Sequence, residues 1–324
     1  MTNELTIGII GADKERHCLY LAEEIKRQGG KPVIMDTISE AAYPLSMSSV
    51  KAGYGAAYND YDAEAIHVYY LRALFLPTPA FDAGEIEAQI REEGYVAYAA
   101  QRERYAAWLS WLKCMPLHGK LLVNPVDTLL IHFAKPYQIE SLRQAGIPVP
   151  ETLVTSSAER LREFVRSRQV VYKPVAGGAH CRLLGEEDLA PERLEALGHA
   201  PAIFQEYIEG QDVRVFVLDG KAIAAFELDS DDVDYRLGGK AMRPVHVPDE
   251  IGSMCIAACS RLNLLFSGVD LKRRPDGSYV LIECNPSPMF EGFDRHALQP
   301  IVEILARYLL AEAEIRVLAA VGQR

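Results

Sequence analysis

Residues 268–291, GVDLKRRPDGSYVLIECNPSPMFE, put acidic side chains where a β-structure would not ordinarily tolerate them. Asp276-Gly277 between runs of alternating apolar residues is a strong short-range hairpin signal. A two-residue turn there sets Pro275 across from Ser278, Lys272 across from Leu281 and Asp270 across from Glu283. Strand alternation adds Asn285 to the same face. Two carboxylates directly opposite one another, with side chains about 5 Å apart, destabilise a sheet unless something positive sits between them. Mg²⁺ fits that demand, since it takes oxygen ligands from one or two carboxylates and completes its shell with phosphate and water. An exposed hairpin edge decorated with acids is the simpler alternative. The interleaved Val269, Leu271, Val280 and Ile282, followed by the rigid Asn-Pro-Ser-Pro, argue for a metal site between Asp270 and Glu283, with Asn285 on the same face.

Cationic residues upstream give that site something to work on. Residues 169–175, QVVYKPV, read as an apolar strand carrying Lys173, and burying an ammonium is costly unless an anion meets it. AGGAH follows, so the backbone at Gly177 and Gly178 could approach phosphate oxygens closely, although paired glycines also make ordinary turns. Lys135 sits early in a helix that closes at Ala145-Gly146. On DVRVFVLDG, Asp212, Arg214 and Phe216 share one face, the first two about 6 to 7 Å apart, while the valines at 213, 215 and 217 face a core. A salt-bridged pair on an edge strand would explain Asp212 and Arg214 equally well. The aspartates at 229, 231, 232 and 234, ahead of Tyr235-Arg236 and Gly238-Gly239, suggest a polar loop.

These residues need a scaffold, and 324 residues suffice for two or three packed units. With 34 Lys plus Arg against 45 Asp plus Glu, the net charge of −11 argues against a nucleic-acid or anionic-membrane surface. No apolar run is long enough to span a membrane, and MTNELTIGII lacks signal-peptide features, so a soluble cytoplasmic chain is expected. The six cysteines form no CxxC pair and read as reduced thiols, with Cys255 and Cys259 in the core. A strand, helix and strand over residues 5–36 open an α/β layer, and its GIIGAD does not match GxGxxG. Residues 65–76 read as a buried strand and residues 81–115 as a helical stretch. A GxxxxGK[ST] phosphate loop is absent. The expected units are an N-terminal α/β domain over 1–122 and two further segments over 123–200 and 201–324.

In order, these pieces resemble the ATP-grasp ligases of the RimK-like glutamate-ligase type. The resemblance is carried by a lysine before AGIPVP, the KP strand before a glycine loop, QEYIEGQD, RVFVLDG, GVDL and ECNPSP, over residues 124–310. It implies a mixed α/β and α+β architecture: an ATP-grasp fold in which two subdomains hold ATP, preceded by a Rossmann-like pre-ATP-grasp domain that helps form the acceptor site. It also implies that Lys135, Lys173 and the Gly177-Gly178 loop hold ATP phosphates. Gln205, Glu206, Tyr207 and Ile208 would line adenine largely through backbone groups, and Asp212 would accept from the ribose. Asp270, Glu283 and Asn285 match the family's metal ligands, with Glu283 bridging two Mg²⁺ ions. Arg214, with Lys173, is the expected catalytic cation. Tyr235, Arg236, Arg243, Ser287 and Glu291 are candidates for substrate contact, and no dedicated general base stands out. The glycine loop departs from many relatives in having few glycines and His180.

The implied reaction joins a small amino-acid or peptide carboxylate to an amine, or to a hydroxyl, through an acyl phosphate. A homo-oligomer is compatible with it. HFAKPYQIESLRQAGIPVPETLVTSS, HVYYLR and FELDSDDVDYR are similar to the ATP-grasp ligases that crosslink ribosomal peptides by ester or amide bonds, whereas NPSPMFEGFDRH departs from them. A small-molecule kinase on the same fold and a non-catalytic nucleotide-binding module are the competing readings.

Overall fold

The computed structural model describes residues 5–38, 45–59, 61–74, 88, 91–92, 94–176, 181–229 and 241–322. The chain divides into two compact units, Met1–Val126 with Val302–Arg324, and Asp127–Ile301.

In the first unit, strands β1 (Thr6–Gly11), β2 (Lys31–Asp36), β6 (Val68–Leu71) and β7 (Leu121–Val123) form a sheet in the order β2-β1-β6-β7, with parallel pairing throughout. Strand β1 is buried along nearly its whole length, as expected for a parallel strand covered on both faces. Helix α1 (Arg16–Arg27) links β1 to β2 and buries Cys18, Leu21 and Ile25 at apolar spacing. Its start is capped by Glu15, whose carboxylate accepts from the Cys18 N–H at 2.8 Å. Strands β3 (Leu45–Val50), β4 (Gly53–Tyr58) and β5 (Tyr61–Asp62) make a separate antiparallel sheet. Helix α2 (Tyr95–Cys114) supplies buried Trp108, Trp111 and Leu112.

The sequence expectation changes here in several places. Of the strand expected over 65–76, Val68–Leu71 form β6, a 3-10 turn occupies Ala63–Ala65, and residues 75–76 lie outside the described residues. The boundary falls at 126 rather than 122, and residues 302–324 cluster with the first unit, not with the last segment. Those residues lie in the final helix, Ile301–Gly322, which buries Val302, Leu305, Ala306 and Leu309. Its Glu303 accepts from Arg27 at 2.8 Å, and Leu310 abuts Gly30, where a Cβ would come within 2.5 Å of it.

The second unit contains two antiparallel sheets. Helix α3 (Lys135–Gln144) comes first and ends at Gly146 in a left-handed conformation. Strands β8 (Thr152–Thr155), β9 (Val170–Pro174), β10 (Arg182–Leu183) and β11 (Ala202–Glu206) then pair in the order β10-β9-β11-β8. Since β11 belongs to this sheet, the expected break at 200/201 moves past residue 206. Strands β12 (Gln211–Leu218), β13 (Lys221–Asp229), β14 (Ala241–Pro244), β15 (Phe266–Arg273) and β16 (Tyr279–Asn285) form the other sheet, ordered β14-β13-β12-β15-β16. One face of it carries Val213, Val215, Val217, Leu271 and Cys284 into a core shared with helix α4 (Asp249–Arg261), which contributes Cys255 and Cys259. The opposite face carries Asp212, Arg214, Asp270, Lys272 and Glu283. Gly210 lies at the entry to β12 with φ +144°, and a Cβ there would come within 2.1 Å of the Arg273 carbonyl oxygen.

Candidate functional site

The β15–β16 hairpin turns differently from the expectation, yet reaches the expected pairing. Gly277 donates to the Arg274 carbonyl at 2.9 Å and Arg274 to the Ser278 carbonyl at 2.8 Å, with Gly277 at φ +86°. Those bonds define a three-residue loop ending in a left-handed glycine, so Lys272 faces Val280 rather than Leu281. A bulge between Asp270/Glu283 and Leu271/Leu281, at Ile282, then restores the phase. Asp270 and Glu283 therefore lie directly opposite one another, with Gly268 opposite Asn285.

Asp270 is flanked on both sides, because β15 lies between β12 and β16. Arg214 is directly opposite it on β12, and its guanidinium grips the carboxylate through Nε–Oδ1 at 2.6 Å and Nη2–Oδ2 at 2.7 Å. Asn285 Nδ2 donates to Asp270 Oδ2 at 3.0 Å. One register step further along, Asp212 faces Lys272, and Nζ donates to Oδ2 at 2.9 Å. The expectation of an Asp212–Arg214 pair on an edge strand fails, because β12 is interior and each residue finds its opposite charge across the ladder. Arg214 also lies 5.4 Å from the Phe293 ring centroid. Phe293, in the short helix Glu291–Asp294, meets Phe216 and Phe226 with centroids 5.1 Å apart in each case. The residues after Asn285 thus run back to form an aromatic floor beside the charged row.

Glu283 is held from the other sheet's side. The Lys135 ammonium donates to its Oε2, and a recess is bounded by Lys135, Thr152, Lys173, Gln205, Ile203 and Glu283. Burial pushes the Glu283 carboxyl up, but Lys135 and Lys173 outweigh it and hold it below the ordinary carboxylate range. The residue stays ionised at neutral pH. His132, just ahead of Lys135, is pushed down by burial and by Lys135 against the opposing pull of Glu283. Asp270, Glu283 and Asn285 provide two carboxylates and an amide oxygen on one sheet face, a hard-donor set suited to Mg²⁺.

Other expected residues separate. Gln205 is buried and its side chain donates to Thr152 Oγ1 at 3.0 Å. The Glu206 and Tyr207 amides donate to the carbonyls of Glu151 and Gln169 at 2.9 and 2.8 Å, so those two N–H groups are engaged within the protein instead of facing a base. Ile208 is buried. Arg243 is opposite Glu227 on the face away from Arg214 and pairs with that buried carboxylate, as does Arg273 at 2.5 Å. Glu291 lies 3.8 Å from Arg295, and Ser287 follows the Asn285 turn. Gly177, Gly178, His180, Tyr235 and Arg236 fall outside the described residues. Sequence reasoning missed Gln138, one turn beyond Lys135, whose side chain clamps the main chain of Cys284. The available signal was a polar residue on the same helix face as Lys135.

Two antiparallel sheets, with Lys173 on one, a carboxylate row on the other and Lys135 at the start of helix α3, define an ATP-grasp protein. Residues 134–309 match the family described as the RimK-like ATP-grasp domain, and the chain belongs to that family. Among curated relatives, beta-citrylglutamate synthase B of Danio rerio is 26% identical over 208 residues, 60% of this chain and 51% of its own. A protein named "Probable alpha-L-glutamate ligase" from Legionella pneumophila strain Corby is 32% identical over 171 residues, 48% of this chain and 56% of its own. The chain thus spans about half the length of these curated relatives. The solved ATP-grasp ligase PsnB, complexed with minimal precursor, Mg and ADP, superposes with a TM-score of 0.83 at 30% identity, covering 97% of this chain and 99% of that one. Among the described residues, no helix is long and apolar enough to cross a membrane.

Proposed function

We propose that this protein is an ATP-dependent ligase that activates a carboxylate as its acyl phosphate and passes the acyl group to an amine, or to a hydroxyl. The observation that carries this reading is the row Arg214, Asp270, Glu283 and Lys135, which sets two carboxylates and two cations side by side, with Lys135, Lys173 and Glu283 at one recess. Lys135 and Lys173 hold the ATP phosphates. Gln205 and Ile208 border the base, and Asp212 lies toward the ribose. Asp270, Glu283 and Asn285 would hold Mg²⁺, two ions on this reading with Glu283 a ligand to both, and the metal would supply charge neutralisation at the phosphate oxygens. Arg214, directly across the ladder from Asp270, stabilises the charge on the phosphoryl group in transit and on the tetrahedral oxyanion that follows.

The substrate carboxylate oxygen attacks the γ-phosphorus, the bond from phosphorus to the β,γ-bridging oxygen breaks, and ADP leaves. The amine then attacks the acyl carbon, phosphate departs with its electron pair, and the ammonium proton passes to solvent. Positioned charge does most of this work, in keeping with the lack of an evident general base. Ser287 and Glu291, just beyond Asn285, are the substrate-side candidates among the described residues.

Of the two substrate classes, a peptide carboxylate is favoured. Similarity to PsnB, described with its precursor, extends over 97% of the chain and so includes the N-terminal unit, whereas the curated glutamate ligases match only about half. Incubation with ATP, Mg²⁺ and hydroxylamine tests the reading, since hydroxylamine traps acyl phosphates as hydroxamates. Asp- and Glu-containing peptides should yield hydroxamate and free glutamate should not. A stable phosphorylated product without an acceptor would instead indicate a kinase.

A further inference from the structure

We infer that Gln138 is a positioning residue for the carboxylate row, acting through the main chain of β16; this rests on the metal-site reading above. β16 is the outer strand of its sheet, and an outer strand presents unpaired N–H and C=O groups. Cys284 separates Glu283 from Asn285, and its thiol is buried in the core on the face opposite their side chains. Its peptide groups point outward, and Gln138 takes both: Gln138 Oε1 accepts from the Cys284 N–H at 2.7 Å, and Nε2 donates to the Cys284 carbonyl at 3.0 Å. A side-chain amide here reproduces what a neighbouring strand would supply. Gln138 is 2% exposed, so neither bond is replaceable by solvent without rearrangement.

The location gives the clamp its consequence. The bulge at Ile282 makes the register of this strand locally irregular, and a one-residue slip would turn Glu283 and Asn285 to the wrong face. Two outside contacts lie on either side of the bulge: the Leu281 N–H donates to the Pro148 carbonyl at 2.8 Å, and Cys284 is held by Gln138. Lys135 and Gln138, three residues apart on one face of α3, thus fix the side chain of Glu283 and the backbone of the next residue together. Gln138 also borders the recess, but both polar atoms of its side-chain amide are engaged by Cys284, so its part is to set where two ligands point.

The test measures Mn²⁺ binding in the presence of ADP by electron paramagnetic resonance of free Mn²⁺, for the wild-type chain, Gln138→Leu and Gln138→Glu. Gln138→Leu should weaken Mn²⁺ binding about tenfold, the scale for groups that orient metal ligands, with ADP affinity measured without metal unchanged. Gln138→Glu keeps an acceptor for the Cys284 N–H and loses the donor to its carbonyl, so it should fall between the two. If Gln138→Leu does not fold, the Gln138→Glu comparison decides. Variants that lower the melting temperature yet bind Mn²⁺ as wild type does would overturn the positioning role and leave the ligase reading standing. A wild-type chain that binds no Mn²⁺ with ADP would remove both.

Discussion

Arg214 and Asp270 face each other on neighbouring strands and meet through two parallel N–H···O bonds of 2.6 and 2.7 Å, so the carboxylate expected to hold metal is already matched to a guanidinium fork. Lysine carries the same charge but cannot span both oxygens. Arg214→Lys should therefore retain the fold and lose turnover by about 10²-fold, in the range seen when one charge-stabilising donor is removed. Steady-state ADP release and thermal denaturation of the same samples check this. An Arg214→Lys variant with wild-type turnover would remove the residue from the chemistry.

Lys135 and Glu283 form the matching pair at the other side of the row, and together with Arg214 and Asn285 they engage both carboxylate ligand candidates with donors in the free protein. Divalent metal alone must displace those donors, while phosphate oxygens offer Lys135 and Arg214 alternative partners. Mn²⁺ titrations should accordingly show weak binding without nucleotide and binding at least tenfold tighter with ADP, about 1.4 kcal/mol. Equal affinity in both conditions would contradict this exchange of partners.

Acid sensitivity of the first unit should trace in part to Glu15. Burial pushes its carboxyl up, but His17, Arg72 and the Cys18 N–H outweigh that and bring it down to about 2 from the ordinary 4.5. A folded-state value below the unfolded one means that the stabilisation is fully present above pH 4.5 and disappears as pH falls toward 2. Glu15→Gln should be less stable than wild type at neutral pH and should lose less stability between those two values, as read from urea unfolding at a series of pH values. Parallel curves for the two proteins would exclude Glu15 as a contributor.

Two glycines separate backbone conformation from close approach. Gly277→Ala forces a left-handed alanine in the hairpin loop with nothing within 4 Å of the added methyl, and should cost about 1 kcal/mol. Gly210→Ala adds a collision with the Arg273 carbonyl at 2.1 Å and should cost about 3 kcal/mol. Chemical denaturation measures both, and the order should not reverse.

The sequence made the Asp270–Glu283 pairing legible because turn chemistry and alternation are local signals. Its derivation nevertheless contained two offsets that cancel: the loop is three residues long, not two, and Ile282 bulges. Neither can be read from residue types alone, since the bulge accompanies contacts to Pro148 and Gln138 that lie far away in sequence. The partners of Asp212 and Arg214 were illegible for a related reason. Which strand lies beside β12 is a tertiary fact, and only β15 brings Lys272 and Asp270 opposite them. The pairing of Arg243 with Glu227 was illegible too, since proximity to the polar loop in sequence says nothing about which sheet face an edge strand presents. Phe290 and Phe293 lie in NPSPMFEGFDRH, the stretch that departs from the peptide-crosslinking ligases, yet both are buried as packing beneath the charged row.

The most direct test of the central claim is ATP turnover in Asp270→Ala and Glu283→Ala, measured as ADP release with Mg²⁺ and an acyl acceptor present. Both variants should keep native secondary structure by circular dichroism and fall to background turnover. Undiminished ADP release from both folded variants would show that these facing carboxylates are not the metal floor of an ATP site.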